Sequence, residues 1–228
     1  EGSETGAPPF TMLHGGPYVA GKRTFLPYGA AGLVILDISD ISEPSLVGGL
    51  NFAPPFNPFV GVHSAVPLPD RNLVIVNSEA IREECDEPLN FTGLVDISDE
   101  TTPRLISLFP LPRPPARSGL ANFAQFGGRF GPHNQHQDQN QPALFKSDTL
   151  VFMTYFNAGL RIFDISDPIM PEEVGYFVPP CPAERRGPLP SKLVPQSEDL
   201  LVDARGYIYM SDKNHGIYIL RGAENLYG

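Results

Sequence analysis

Basic residues are scarce in this chain. Its 228 residues hold 16 Lys and Arg against 26 Asp and Glu, a net charge of −10. That balance excludes a general nucleic-acid binder, which needs a basic face to meet phosphate. Cysteine is scarcer still, at two. Cys85 and Cys181 are too few for a disulfide framework; they can form one bridge in an exporting compartment or stay reduced in the cytoplasm. No apolar run approaches the ~18 residues of a membrane span. The chain opens at Glu1 with neither Met nor a signal-peptide pattern, so removal of an upstream segment by processing or trimming is expected.

Gly and Pro are plentiful, at 22 and 26. They are spread between short apolar runs, as expected of many short strands joined by turns. A phrase recurs among them. It reads GLVILDISDISEP from Gly32 to Pro44, TGLVDISDETTP from Thr92 to Pro103 and GLRIFDISDPIMP from Gly159 to Pro171, with a worn copy, GIYILRG, from Gly216 to Gly222. Repetition of a strand-and-turn unit is the sequence mark of a repeat architecture. Before each Gly lies a short apolar run: Thr24–Tyr28, Leu73–Asn77, Leu150–Phe156 and Tyr207–Ser211. The phrase is a second strand, and a third follows its Pro, as at Leu46–Leu50, Leu105–Leu108 and Glu173–Phe177. A weaker strand precedes the set at Ser64–Leu68 and Glu198–Val202. Four antiparallel strands per repeated unit make a β-propeller blade.

GLVILDISDISEP and GLRIFDISDPIMP resemble the LVIVD repeat, a propeller-forming unit of bacterial and archaeal proteins. The stretch FGPHNQHQ followed by TYFNAGLRIFDISDP is similar to a particular group within that family. The resemblance implies a fold and no particular activity, since one fold hosts many. The expectation is an all-β propeller with about four visible blades, near 14–52, 63–110, 133–178 and 196–222. The last blade stops after its third strand, so the chain reads as the C-terminal part of a larger propeller, with a small closed one as the alternative. Long loops are expected at Phe52–Val62, Glu79–Phe91, Pro110–Ala143 and Pro179–Gln196. Long ordered loops in a compact domain are usually functional.

The blade register gives meaning to the five histidines. His14 lies about ten residues before the run at Thr24, His63 ten before Leu73, and Glu198 nine before Tyr207. Each marks the entrance to the innermost strand of a blade. In the third blade His133 or His136 fills that place. His215 sits in a turn expected on the same face. Histidine is the commonest transition-metal ligand and a carboxylate can complete its site. His14, His63 and His133 are therefore the leading metal ligands, with His136 and Glu198 next. Singly, each reads as a solvated or backbone-bonded loop residue; the shared position points to ligation of divalent Fe, Mn or Zn.

His215 is then a candidate acid/base, and Arg129, close before His133, a candidate contact for an anionic substrate group. The acid pairs Ser39-Asp40, Ser98-Asp99 and Ser166-Asp167 repeat with the phrase, so they read as turn chemistry. Asn90-Phe91-Thr92 matches the glycosylation sequon. Together these features predict a metal-dependent enzyme acting on a small oxygenated organic substrate by lyase, hydrolase or oxygenase chemistry. The alternative is a non-enzymatic propeller serving interaction or self-assembly, as a homo-oligomer or with a missing N-terminal segment. An extracellular or periplasmic location is expected, with the cytoplasm as the alternative.

Overall fold

The computed structural model describes residues 12–223 and Leu226. These fall into two compact units. One comprises residues 12–81, 87–109 and 168–170; the other comprises residues 82–86, 110–167, 171–223 and Leu226.

The first unit carries two four-stranded antiparallel sheets. Strands β1 (Tyr18–Ala20), β2 (Arg23–Pro27), β3 (Leu33–Asp37) and β4 (Ser45–Leu50) follow one another in space as in sequence. So do β5 (Val60–Leu68), β6 (Leu73–Glu79), β7 (Thr92–Asp96) and β8 (Arg104–Leu108). Their β-branched and aromatic side chains suit a pleated, half-buried surface. Phe25, Leu33, Ile35, Val62, Val74, Val76 and Val95 join with the loop residues Phe52 and Phe91 in one buried core.

The second unit carries two three-stranded sheets. One holds β9 (Leu150–Thr154), β10 (Leu160–Asp164) and β11 (Glu172–Phe177); the other holds β12 (Ser197–Val202), β13 (Tyr207–Asp212) and β14 (Gly216–Arg221). The expected first strand of the third blade is reduced to ladder bonds on the free side of β9. The N–H groups of His133 and His136 donate to the carbonyls of Thr154 and Phe152, and Thr154 N–H donates to Asn134. The run Gly131–Asn140 is polar, with no alternating apolar residues to anchor a longer strand. The fourth sheet ends at its third strand, as its sequence indicates. All four sheets match propeller blades, and among the described residues no helix is long and apolar enough to cross a membrane.

The recurring phrase has a structural role in the three copies that carry Asp-Ile-Ser-Asp. The N–H groups of Ser39, Ser98 and Ser166 donate to the carboxylates of Asp37, Asp96 and Asp164, two residues back. The second acid repeats the device: Asp40 accepts from Ser42 and Asp99 from Thr101. These are Asx turns. Asp37 also accepts from the Arg23 guanidinium, and Asp96 from that of Arg104. The Gly that opens the phrase takes positive φ, 91° at Gly32 and 73° at Gly159. A Cβ there would stand 2.1 Å from the carbonyl oxygen of Leu50 or Phe177 in the next strand.

A bulge recurs with the phrase. Val47, Ile106 and Val174 are each an extra residue in the strand that follows the phrase, opposite the steps Ile35/Leu36, Leu94/Val95 and Ile162/Phe163. Each lies opposite the point two residues before the signature Asp. Bulges sharpen the local twist, so the same bend is built into three sheets.

Two features outside the phrase are settled by packing. Asn90 of the sequon is buried, accepting from Ser78 Oγ and donating to Glu87. No disulfide joins Cys85 and Cys181, and both are exposed.

Candidate metal centre

The ladders place the entrance residues. His14 donates its N–H to the carbonyl of Pro27, at the end of β2 (3.4 Å), and His133 donates likewise to Thr154, at the end of β9 (3.0 Å). Pro27 pairs with Leu33 and Thr154 with Leu160, so the two acceptors are equivalent residues of the repeat. In the second and fourth sheets the entrance is a bulge. His63 lies in the stretch between Val60↔Glu79 and Ser64↔Asn77; Glu198 lies between Ser197↔Asp212 and Asp199↔Ser211. His14, His63, His133 and Glu198 therefore do share one position of the repeat. Bulges often re-aim side chains beside functional sites.

The same register exposes a second position, two residues after the equivalent residues Pro27, Asn77, Thr154 and Ser211. It is Gly29, Glu79, Phe156 and Lys213 in the four sheets in turn. Each entrance residue meets its own partner where that partner has a side chain. His63 Nε2 lies 3.7 Å from Glu79 Oε2. His133 stacks on Phe156, ring centroids 4.7 Å apart. Glu198 Oε1 lies 3.7 Å from Lys213 Nζ.

In the first unit the first and second sheets combine these groups. His14 Nδ1 lies 3.4 Å from the same Glu79 Oε2, and the rings of His14 and His63 are 5.1 Å apart, tilted by 59°. One ligand atom from each of His14, His63 and Glu79 falls within 4.8 Å of the others. His63 and Glu79 are buried, while His14 keeps 34 % of its side chain exposed. His63 Nδ1 is in hydrogen-bond contact with Ser64 Oγ at 2.9 Å. That contact orients the ring so that Nε2 is the nitrogen facing Glu79. A partner on the far nitrogen is the usual way a protein fixes a metal-binding imidazole. Glu79 ends a brace: Ser78 Oγ accepts the Phe91 N–H at 2.9 Å and donates to Asn90 at 2.8 Å, pinning the end of β6 to the loop before β7. Two histidines and one carboxylate with an open side could hold a divalent transition metal.

Glu79 is the ligand candidate that sequence reasoning missed. It stands two residues past the apolar run Leu73–Asn77, where nothing in periodicity marks it. Only the fourth-sheet equivalence to Lys213 signals the position.

The second unit uses its candidates differently. His133 Nδ1 donates to the Glu198 main-chain carbonyl at 2.5 Å, which also accepts from Asn134 Nδ2 and Thr154 Oγ1. The Glu198 carboxylate accepts from Gln196 Nε2 at 2.6 Å, and its other oxygen is 3.7 Å from His133 Nδ1. Both ring nitrogens of His136 are taken by backbone: Nε2–H donates to Phe145 O at 2.8 Å, and Nδ1 accepts from Val202 N–H at 3.2 Å. Burial pushes His136 below the ordinary histidine range. It is a neutral structural group whose bonding leaves no nitrogen for an ion. His215 Nδ1 lies 3.3 Å from Asp212 Oδ1, with its ring against Tyr218. The Arg129 guanidinium lies 5.4 Å from the centroid of the Phe156 ring on which His133 stacks.

Sheets of this pattern, with repeated Asx turns and bulges, define a β-propeller repeat protein. Residues 18–51 and 150–178 match the model of the LVIVD repeat, so the chain carries this repeat in those two segments. No curated protein sequence matches it. Among solved structures it is similar to the computationally designed Ika4 protein, at 8% identity and a TM-score of 0.48, covering 91% of this chain and 89% of that one. It is also similar to a structural-genomics protein of unknown function from Bacteroides thetaiotaomicron, at 12% identity and a TM-score of 0.48, covering 95% of this chain and 43% of that one. A hypothetical selenium-binding protein from Sulfolobus tokodaii matches at 10% identity and a TM-score of 0.47, covering 89% of this chain and 58% of that one. The chain thus spans about half the length of the last two.

Proposed function

We propose that this chain is a metal-dependent propeller enzyme acting on a small oxygenated organic substrate, with divalent Fe, Mn or Zn held by His14, His63 and Glu79. The observation that carries this reading is the meeting of three ligand-type side chains from two sheets, their ligand atoms within 4.8 Å. Bound there, the ion supplies Lewis-acid or water-activating chemistry, or a site for O2. The residues do the rest. Burial of His63 and Glu79 keeps competing water from one side, and the half-open His14 side admits substrate. Taken by itself, the second unit offers Arg129 as a proposed contact for an anionic group, His215, beside Asp212, as a proposed acid/base, and His133 and Glu198 as proposed ligand-type groups of that unit.

Metal analysis of protein purified without a His tag tests this. We expect close to one equivalent of a single transition metal, lost in His63→Ala and Glu79→Gln. Less than about a tenth of an equivalent, with no gain on reconstitution, would refute it, because a preformed three-ligand site retains or recovers its ion.

One observation favours a second reading, a self-assembly module. Strand β14 is paired on one side only among the described residues, and its Ile217 and Ile219 are 72% and 65% exposed. Under that reading the protein runs as an oligomer in light scattering, and Ile219→Lys returns it to a monomer.

A further inference from the structure

Gly15 stands beside the candidate centre and none of its chemistry requires a glycine there. Its φ lies outside the positive range, so no backbone strain explains it. Space does. A Cβ on Gly15 would lie 1.9 Å from the His63 carbonyl oxygen, 3.1 Å from the His63 carbonyl carbon and 3.4 Å from Pro27 Cγ. The backbone of residue 15 crosses directly over the backbone of His63. That crossing sets the distance between the two imidazoles on either side of it. At the next residue, Gly16, a Cβ would meet nothing within 4 Å.

We propose that Gly15 is a positioning residue for the metal centre: its missing side chain lets His14 close on His63 and Glu79. The inference rests on the reading of His14, His63 and Glu79 as ligands. A methyl at 1.9 Å must open the crossing by roughly an ångström or more to reach ordinary contact. The two sides of the crossing are not equally free to move. His63 lies in β5, paired with β6 and buried in the core. His14 lies ahead of β1, outside the paired strands, and is exposed. The displacement therefore falls on His14. A ligand moved by more than ~0.5 Å no longer holds its geometry.

The test compares Gly15→Ala, Gly16→Ala, His14→Ala and the double variant Gly15→Ala/His14→Ala by calorimetric titration with Zn(II) and by the visible spectrum of the Co(II) form. Gly15→Ala is expected to bind about 10–100-fold more weakly than wild type, the range for loss of a supporting contact, with a Co(II) spectrum changed toward that of His14→Ala. Gly16→Ala is expected to match wild type. The double variant is expected to bind no more weakly than His14→Ala alone, because Gly15 acts only through that ring. Wild-type affinity in Gly15→Ala, or an additive loss in the double variant, overturns the proposal. Loss of native near-ultraviolet circular dichroism in Gly15→Ala overturns it too, since residue 15 would then be holding the fold. Failure of the underlying reading looks different: His63→Ala would then bind the ion as well as wild type.

Discussion

The Arg161 side chain is fully buried. Its guanidinium donates twice to the Ala158 carbonyl and once more to Glu173, and lies 5.0 Å from the centroid of Phe123 and 5.1 Å from that of Tyr176. Burial lowers its pKa and raises that of Glu173, each pulled back by the other's charge. Removing one partner of such a pair leaves the other charge buried alone. Arg161→Ala should therefore cost about 3–5 kcal/mol in urea denaturation, and Glu173→Gln a comparable amount, since it leaves the fully buried guanidinium without a counter-charge. Sequence could not foresee this. The equivalent residues of the other copies are Val34 and Gly93, and an arginine there reads as solvent-facing. It is buried by the long connection after β8, whose Phe123 lies over it. Histidines divide along the same line. The repeat register correctly aligned His14, His63 and His133, but bond counting alone separates His136, spent on two backbone groups, from His63, whose Nε2 faces a carboxylate.

At the scale of the element, the phrase Asp-Ile-Ser-Asp is a turn that protonation can loosen. Hydrogen bonds from the Ser98 side chain and backbone, with the Arg104 guanidinium, hold Asp96 down at about 2. Its folded value lies below the unfolded one, so its contribution is fully present above about pH 4 and is lost as pH falls toward 2. Asp96→Asn should lower stability at pH 7 by about 1–2 kcal/mol, less than the whole shift implies because the turn faces solvent. Stability measured between pH 4 and pH 2 should then fall less steeply in the variant than in wild type. A slope equal to wild type would mean Asp96 is not held. Strand positions in the phrase were legible to within a residue or two because apolar runs, Gly and Pro punctuate them. The first strand of the third blade was not, because a polar stretch can still bond one edge of β9 without alternation to announce it.

For the whole molecule, sequence carried the repeat and hence the blade type, but not the grouping of sheets. The two units each have a buried apolar cluster of their own, one around Leu33 and Val74, the other around Ile162, Val202 and Met210. Ligands of the candidate centre belong entirely to the first. An ion that binds only the native state stabilises it by mass action, about 2.7 kcal/mol at a hundredfold excess over its dissociation constant. Added metal should accordingly slow amide exchange in β5 and β6 and leave β9 to β14 unchanged. Equal protection in both units, or none in β5 and β6, would count against the site.

The bulge residues Val47, Ile106 and Val174 bear on how such a chain can vary in length. Each lies between ladder pairs that hold register on both sides. Deleting one would leave its neighbours facing the partners they already have, so the ladder would become regular and lose the added twist. In the second sheet, loss of Ile106 would keep Leu105 opposite Val95 and Ser107 opposite Leu94, so Leu105 would stay packed against the core. The outer strand can thus shed this one residue without turning a side chain over, and what it gives up is the bend.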